Sequence, residues 1–252
     1  MAVQKSKVII IAAGLGSRLM PLTKNKPKCL LKFKKNKSLL NHQIKVFEEN
    51  KLKSINIIVG HKKKELQKLN YKCFENRNYK KNKILNSLFS AKKIIKGNIL
   101  ISYSDIIFKS RLIKKLLSSK SDITVLVDKE WKKNYKNRKL HPISEAEKII
   151  YDKNFNVKKA GKILTKSEAS GEMVGLFKLT SKGSKIFQYY FKKAKRLFKG
   201  KKFYSAKRFE KAYITDFINY LIKNHVEVKS SVIAGGWMEI DTIEDLKRAA
   251  RF

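Results

Sequence analysis

The run Val8-Ile9-Ile10-Ile11-Ala12-Ala13 is continuously apolar and mostly β-branched, and it breaks at Gly14-Leu15-Gly16. A strand with no polar alternation has to be covered on both faces, which points to the interior of a parallel sheet with helices on either side. Its C-terminal end is then a ligand edge, because glycines there let backbone N–H groups approach an anion with no Cβ in the way. The run is too short to cross a bilayer, which takes about 18–20 apolar residues, and no other stretch of the chain approaches that length. Lys5-Ser6-Lys7 ahead of it has the look of a secretory leader. Gly14 to Arg18 stand where a cleavage site belongs, so we read the run as the first buried strand.

The rest of the chain alternates. Ser38 is positioned to cap a helix whose Leu39, Leu40, Ile44 and Phe47 share one side. Strands are expected over 55–60, 71–74, 98–102 and 122–127, with helices near 62–69, 86–95 and 110–118. This succession predicts an α/β fold, a three-layer Rossmann-like mixed sheet, mostly parallel, with right-handed crossovers. From Trp131 the pattern changes to a hairpin, 147–151 and 156–159, followed by a strand over 172–179. Helices resume at 184–198 and 213–223, then come a strand at 226–233 and a closing helix from Thr242.

Charge bears on partners rather than on fold. Sixty Lys and Arg against 20 Asp and Glu give a formal net charge of +40, which draws anions. Only eight of the sixty are arginines, and the lysines are spread over nearly every segment. Readers of nucleic acid concentrate arginine for bidentate contacts, so the pattern reads as a solvated lysine-rich surface that attracts phosphorylated substrates. A basic nucleic-acid-binding protein is the alternative from another class. Cys29 and Cys73 are too few for a disulfide framework or a zinc site, and a reducing cytoplasm is the expected location.

The segment from Ala12 to Lys28 carries the most chemistry. It lacks the third glycine of a dinucleotide fingerprint and the Gly-Lys-Ser/Thr of a P-loop. Taken alone, its two glycines also fit a tight turn with no ligand. Gly14-x-Gly16-x-Arg18, Pro21-x-Thr23 and Pro27-Lys28 together resemble the signature of the nucleotidyltransferases that activate sugar phosphates and related alcohol phosphates. The resemblance implies that Ala12, Ala13 and Gly14 meet the base and ribose, with Gly16 and Ser17 near the phosphates. It makes Arg18 and Lys28 the catalytic cations, Arg18 on the β- and γ-phosphates and Lys28 by the α-phosphate. Ile101 to Phe108, with Ser104-Asp105 where the family has Gly-Asp, and Trp237 to Thr242 resemble the two metal segments. They imply Mg2+ held by Asp105 and Asp241. The bland readings are a strand-end turn residue for Asp105 and a residue flanking a Thr242/Asp245 capping box for Asp241.

His141 to Glu147, Ala160-Gly161-Lys162, Gly171 to Leu179, Ala212 to Asp216 and Gly235 to Thr242 resemble one branch, the cytidylyltransferases of phosphocholine and of phosphonates. That resemblance implies CTP and a small phosphate or phosphonate acceptor as partners, such as phosphocholine, 2-aminoethylphosphonate or 2-hydroxyethylphosphonate. Lys162, Glu172, Tyr213, Asp216 and Trp237 would line the acceptor pocket, the carboxylates and rings receiving a cationic amine. Each has a bland reading as a core aromatic, surface lysine or helix-face charge, and His141 before Pro142 reads as a loop residue. A single domain over 1–252 is expected, with an NTP-binding part of about 1–130 plus 225–252 and a small β-rich insertion, about 131–224, over the acceptor site. The base pocket is expected to include part of 82–87. The alternative within the same fold is a sugar-1-phosphate nucleotidyltransferase using UTP or dTTP.

Overall fold

The computed structural model describes residues 6–252, so Lys5 of the basic triplet lies outside the described residues. In chain order the elements are β1 (Lys7–Ala12), β2 (Lys32–Lys34), β3 (Lys37–Ser38), α1 (Leu39–Glu49), β4 (Ser54–Val59), α2 (Lys63–Gln67), β5 (Lys72–Glu75) and α3 (Ile84–Ser90). Next come β6 (Ile99–Tyr103), β7 (Ile106–Phe108), α4 (Ser110–Leu117), β8 (Ile123–Asp128), β9 (Lys148–Tyr151), β10 (Val157–Ala160) and β11 (Gly171–Leu179). The chain closes with α5 (Ser181–Phe198), α6 (Ile214–Lys223), β12 (Lys229–Ile233), β13 (Trp237–Glu239) and α7 (Ile243–Ala249).

Among the described residues, nine strands form one sheet in which β1 lies between β6 and β4 with both pairings parallel. Side chains of β1 alternate between two cores, as a strand covered on both faces requires. Ile9 and Ile11 pack with Leu85, Phe177 and Phe187, while Val8 and Ile10 pack with Leu40, Phe47 and Phe108. Ser38 caps α1 by accepting from the Asn41 N–H at 3.1 Å, and Leu40, Ile44 and Phe47 bury as its periodicity predicts.

The β-rich stretch is woven into the main sheet. β11 pairs antiparallel with β6, β8 and β9, and β9 and β10 extend the sheet beyond it. All nine residues of β11 are buried, so it serves as a central strand. Its bulge falls between Met173 and Phe177 against β8. There Gly175 has φ +79°, and a Cβ would come within 2.7 Å of the Tyr103 ring, so only glycine lets Tyr103 lie against the bulge.

Candidate active site

The loop after β1 is built around Gly16, whose φ of +63° lies in the left-handed region. The Thr23 hydroxyl donates to the Gly16 carbonyl at 2.9 Å, closing the loop on itself. Fully buried Leu19 anchors the turn that presents Arg18, and buried Cys29 anchors the turn that begins with Lys28. Burial pushes the Cys29 thiol up to about 12, which leaves it protonated and inert at neutral pH.

Two acidic residues far apart in sequence meet through a small ribbon. β13 pairs antiparallel with β7, and the Ile240 N–H donates to the Asp105 carbonyl at 2.8 Å. Asp105 sits in the turn between β6 and β7, which Gln43 of α1 braces by donating to the Tyr103 and Ile106 carbonyls at 2.9 and 2.7 Å. Asp241 follows β13 and precedes α7, whose capping box of Thr242 and Asp245 is formed as expected. The box is made by Thr242 at the N-cap and Asp245 three residues on, so the Asp241 side chain is left to face the loop.

The Lys28 ammonium donates to Asp105 Oδ2 at 3.0 Å and to Asp241 Oδ1. Arg18 Nη2 lies 2.7 Å from Asp241 Oδ2, and His141 Nδ1 lies 3.2 Å from both that oxygen and Arg18 Nη1. Burial opposes the charge on Lys28, yet Asp105 and Asp241 outweigh it and hold the ammonium above the usual lysine range. Burial likewise works against the Asp241 carboxylate, but Lys28, His141 and Arg18 hold it well below the usual range. Glu239 goes the other way, raised by burial and then by Asp241 and Asp105.

Two cavities open on either side of this cluster and share Arg18, Lys83, Ile84, Asp105 and Asp241. The first, of about 350 Å³, is lined by Ala12, Gly14, Gly16, Ser17, Lys28 and, as expected for part of 82–87, by Asn82 and Ser87. Ala13 is buried behind this lining, and its carbonyl accepts from the His61 N–H at 3.1 Å.

The second cavity, of about 580 Å³, brings together Lys162, Glu172, Tyr213 and Trp237. Lys162 pairs with Glu145 at 2.6 Å and stands 4.9 Å over the Tyr213 ring. Glu172 accepts from the Tyr135 hydroxyl at 2.6 Å, while its Oε2 is buried with no hydrogen-bond partner among the described residues. Burial pushes Glu172 up to about 8. The Trp237 indole N–H donates to Asp128 at 2.8 Å, which fixes the ring in the wall.

Asp216 departs from expectation. It is absent from the cavity lining because its carboxylate closes the N-terminus of α6, accepting from the Tyr213 N–H at 2.9 Å and from the Ser205 N–H and hydroxyl at 2.9 and 2.6 Å. Sequence reasoning also passed over Glu147, Glu239 and His141, all of which line the second cavity. Glu147 accepts from Tyr103 at 3.2 Å, and burial brings it to about 7. Spacing carried a signal for Glu239, since residues i and i+2 of an extended chain share a side with Asp241.

Asp105 Oδ1 is buried and lacks a partner among the described residues. With Asp241 and Glu239 nearby, the donor set is one of hard carboxylate oxygens where the two cavities meet, which suits Mg2+.

Residues 8–154 match the MobA-like NTP transferase domain, and the chain belongs to this family of nucleotidyltransferases. Its fold is the α/β nucleotidyltransferase fold. Over 251 residues, 95% of this chain and 97% of the relative, it is 30% identical to CTP:phosphoglutamine cytidylyltransferase of Campylobacter jejuni. It is also 30% identical over 189 residues, 68% of this chain and 80% of the relative, to choline-phosphate cytidylyltransferase of Streptococcus pneumoniae. Among solved structures, CTP:phosphocholine cytidylyltransferase from Streptococcus pneumoniae shares the fold with a TM-score of 0.73, 21% identity and 98% coverage of both chains. The inositol-1-phosphate CTP transferase from T. maritima does so with a TM-score of 0.71, 19% identity and 98% coverage of both. No helix among the described residues is long and apolar enough to cross a membrane.

Proposed function

We propose that the chain transfers CMP from CTP to a small phosphate or phosphonate acceptor, releasing pyrophosphate. The observation that carries this reading is the pair of cavities meeting at Arg18, Asp105 and Asp241, with Lys28 hydrogen-bonded to both carboxylates. Nucleotide in the first cavity and acceptor in the second meet there. An acceptor oxygen attacks the α-phosphorus in line, and the bond to the pyrophosphate oxygen breaks. The acceptor is already ionised, so no side-chain nucleophile is needed and catalysis reduces to positioning and charge neutralisation.

Asp105 and Asp241 would hold Mg2+, which when bound neutralises charge on the phosphate oxygens. Arg18, with half its side chain exposed, is free to turn toward the β- and γ-phosphates. Lys28 is mostly shielded from solvent and held by two carboxylates, so it contributes a fixed positive charge beside the α-phosphate. Residues of about 1–130 and 225–252 form the nucleotide part, and those of about 131–224 the acceptor part.

The acceptor cavity carries groups of both signs. Lys162 and Arg18 are available to its phosphate, while the carboxyls of Glu147 and Glu172 call for a tail that is cationic or donates hydrogen bonds. An ammonium group satisfies them, and so does an amide. The relatives that act on phosphocholine and phosphoglutamine have acceptors of this kind, and 2-aminoethylphosphonate and 2-hydroxyethylphosphonate belong to the same class. Two free cysteines and a CTP-dependent reaction fit a reducing cytoplasm. The test is 31P NMR of the protein with CTP, Mg2+ and each acceptor in turn. A pair of coupled signals from a CDP-linked product alongside pyrophosphate is expected; unchanged CTP with every amine- or amide-bearing acceptor contradicts the reading.

A further inference from the structure

Asp241 offers its two oxygens to different neighbours. Oδ1 accepts from Lys28, on the side of Asp105, whereas Oδ2 faces Arg18 and His141. On this second side the His141 side chain is only 2% exposed, and its Nε2 stands 3.6 Å from Glu239 Oε2. That nitrogen is buried and makes no hydrogen bond among the described residues. Leaving such an atom unpaired costs about 1–3 kcal/mol, so its retention in a cavity wall calls for a ligand. One donor atom each from His141, Glu239 and Asp241 lie within 4.8 Å of one another.

The imidazole is delivered rigidly. Arg138, three residues earlier, is buried and makes a two-point ion pair with Asp245 at 2.6 and 2.9 Å. The Lys139 and Leu140 N–H groups donate to Glu244 at 3.0 and 2.9 Å. The segment leading into His141 is thereby clamped to α7, the helix that begins just after Asp241. A nitrogen fixed in this way is pre-organised rather than incidental. Arg18 is the one group standing against Asp241 Oδ2 that is free to leave, being half exposed.

We propose that His141, Glu239 and Asp241 together bind a divalent transition-metal ion through one imidazole nitrogen and two carboxylates, so that this centre accepts a nitrogen-coordinated ion as well as Mg2+. Mg2+ keeps to oxygen ligands, while imidazole suits first-row transition metals. The inference deepens the reading above, resting on it for the place of the metal, and assigns as a ligand a histidine that residue spacing did not mark.

The experiment titrates the full-length protein with Mn2+ alone, without nucleotide, and follows binding by EPR and nitrogen coupling by electron spin-echo envelope modulation. One bound Mn2+ with 14N modulation is expected, changing to the 15N pattern in protein grown on 15N-labelled histidine. The wild-type signal needs no variant. His141→Gln should lose the modulation and bind Mn2+ about ten-fold more weakly, and Mg2+ should displace Mn2+ more readily from the variant. Loss of the modulation in His141→Gln is what separates this imidazole from those of His42, His61 and His225. Mn2+ bound without nitrogen modulation, modulation that survives in His141→Gln, or no bound Mn2+ each overturns the proposal. Pyrophosphate release from CTP is assayed in Mg2+ on the same preparations. Release without nitrogen coupling removes the imidazole ligand and keeps the proposed function, and coupling without release does the reverse.

Discussion

Lys28 and Asp105, 77 positions apart in sequence, are joined by a 3.0 Å hydrogen bond, and the same ammonium reaches Asp241 on the far side of the cluster. The lysine holds two carboxylates together that would otherwise repel each other. Lys28→Met removes that charge, leaving Asp105 without its ion-pair partner and Asp241 with Arg18 as its remaining cation. Turnover is expected to fall about 10²–10³-fold, and urea denaturation should show a loss of about 3–5 kcal/mol, as for a broken buried pair. Lys28→Arg should not restore the rate, because a planar guanidinium does not reproduce a point charge between two carboxylates. Unchanged turnover in Lys28→Met would remove this residue from the chemistry.

Asp105→Asn and Asp241→Asn keep the volume and lose the charge. Both variants are expected to give a folded circular dichroism spectrum and to lose turnover at ordinary Mg2+, with Asp105→Asn partly recovering as Mg2+ is raised. The ribbon between β7 and β13 is held by backbone pairing, so the fold does not depend on either carboxylate. Wild-type rates in both would contradict the metal assignment.

Burial raises Glu147 to about 7 and Glu172 to about 8, so both titrate near neutrality in the acceptor cavity. Between pH 6 and 9 each moves from neutral acid to carboxylate, and KM for an ammonium-bearing acceptor should fall as pH rises. Stability runs the opposite way. The folded pKa lies above the ordinary carboxylate value, so the native state holds a proton that the unfolded chain releases. That contribution is complete below about pH 4.5 and is lost as pH rises through about 8. Glu172→Gln should flatten both dependences, and Tm measured from pH 5 to 8 with acceptor KM on the same samples checks them together.

Arg138 is the anchor of the segment that carries His141. Its side chain is 4% exposed and that of Asp245 1%, so Arg138→Ala leaves a buried charge unpaired at a cost of about 3–5 kcal/mol. The acceptor KM should rise along with the loss of stability, because Leu140 and His141 line that cavity. A loss below about 1 kcal/mol would show that water reaches Asp245 and that the clamp is weak.

Local patterns were legible where one segment decides its own conformation. The buried strand β1, the Ser38 cap and the glycine loop follow from residue type and spacing, and so does the placing of Asp105 and Asp241 at strand ends. What was hidden depends on segments brought from elsewhere. β11 reads as part of an inserted unit, yet it pairs with β6 on one edge and β8 on the other and is buried along its whole length. Asp216 looks available on a helix face until the turn at Ser205 folds back onto it. His141 looks like loop filler before Pro142, and the attachment of Arg138, Lys139 and Leu140 to α7 brings it to the cluster. Glu147 and Glu172 gain their unusual acidity from burial, which no spacing rule reports.

Pyrophosphate release in Mg2+ tests the central claim most directly. Four ribonucleoside triphosphates and dTTP are crossed against phosphocholine, phosphoglutamine, 2-aminoethylphosphonate, 2-hydroxyethylphosphonate and several sugar 1-phosphates. Release that requires CTP together with one of the amine-, amide- or hydroxyl-bearing acceptors is the predicted result. Release only with UTP or dTTP and a sugar 1-phosphate would contradict both the nucleotide and the acceptor proposed here.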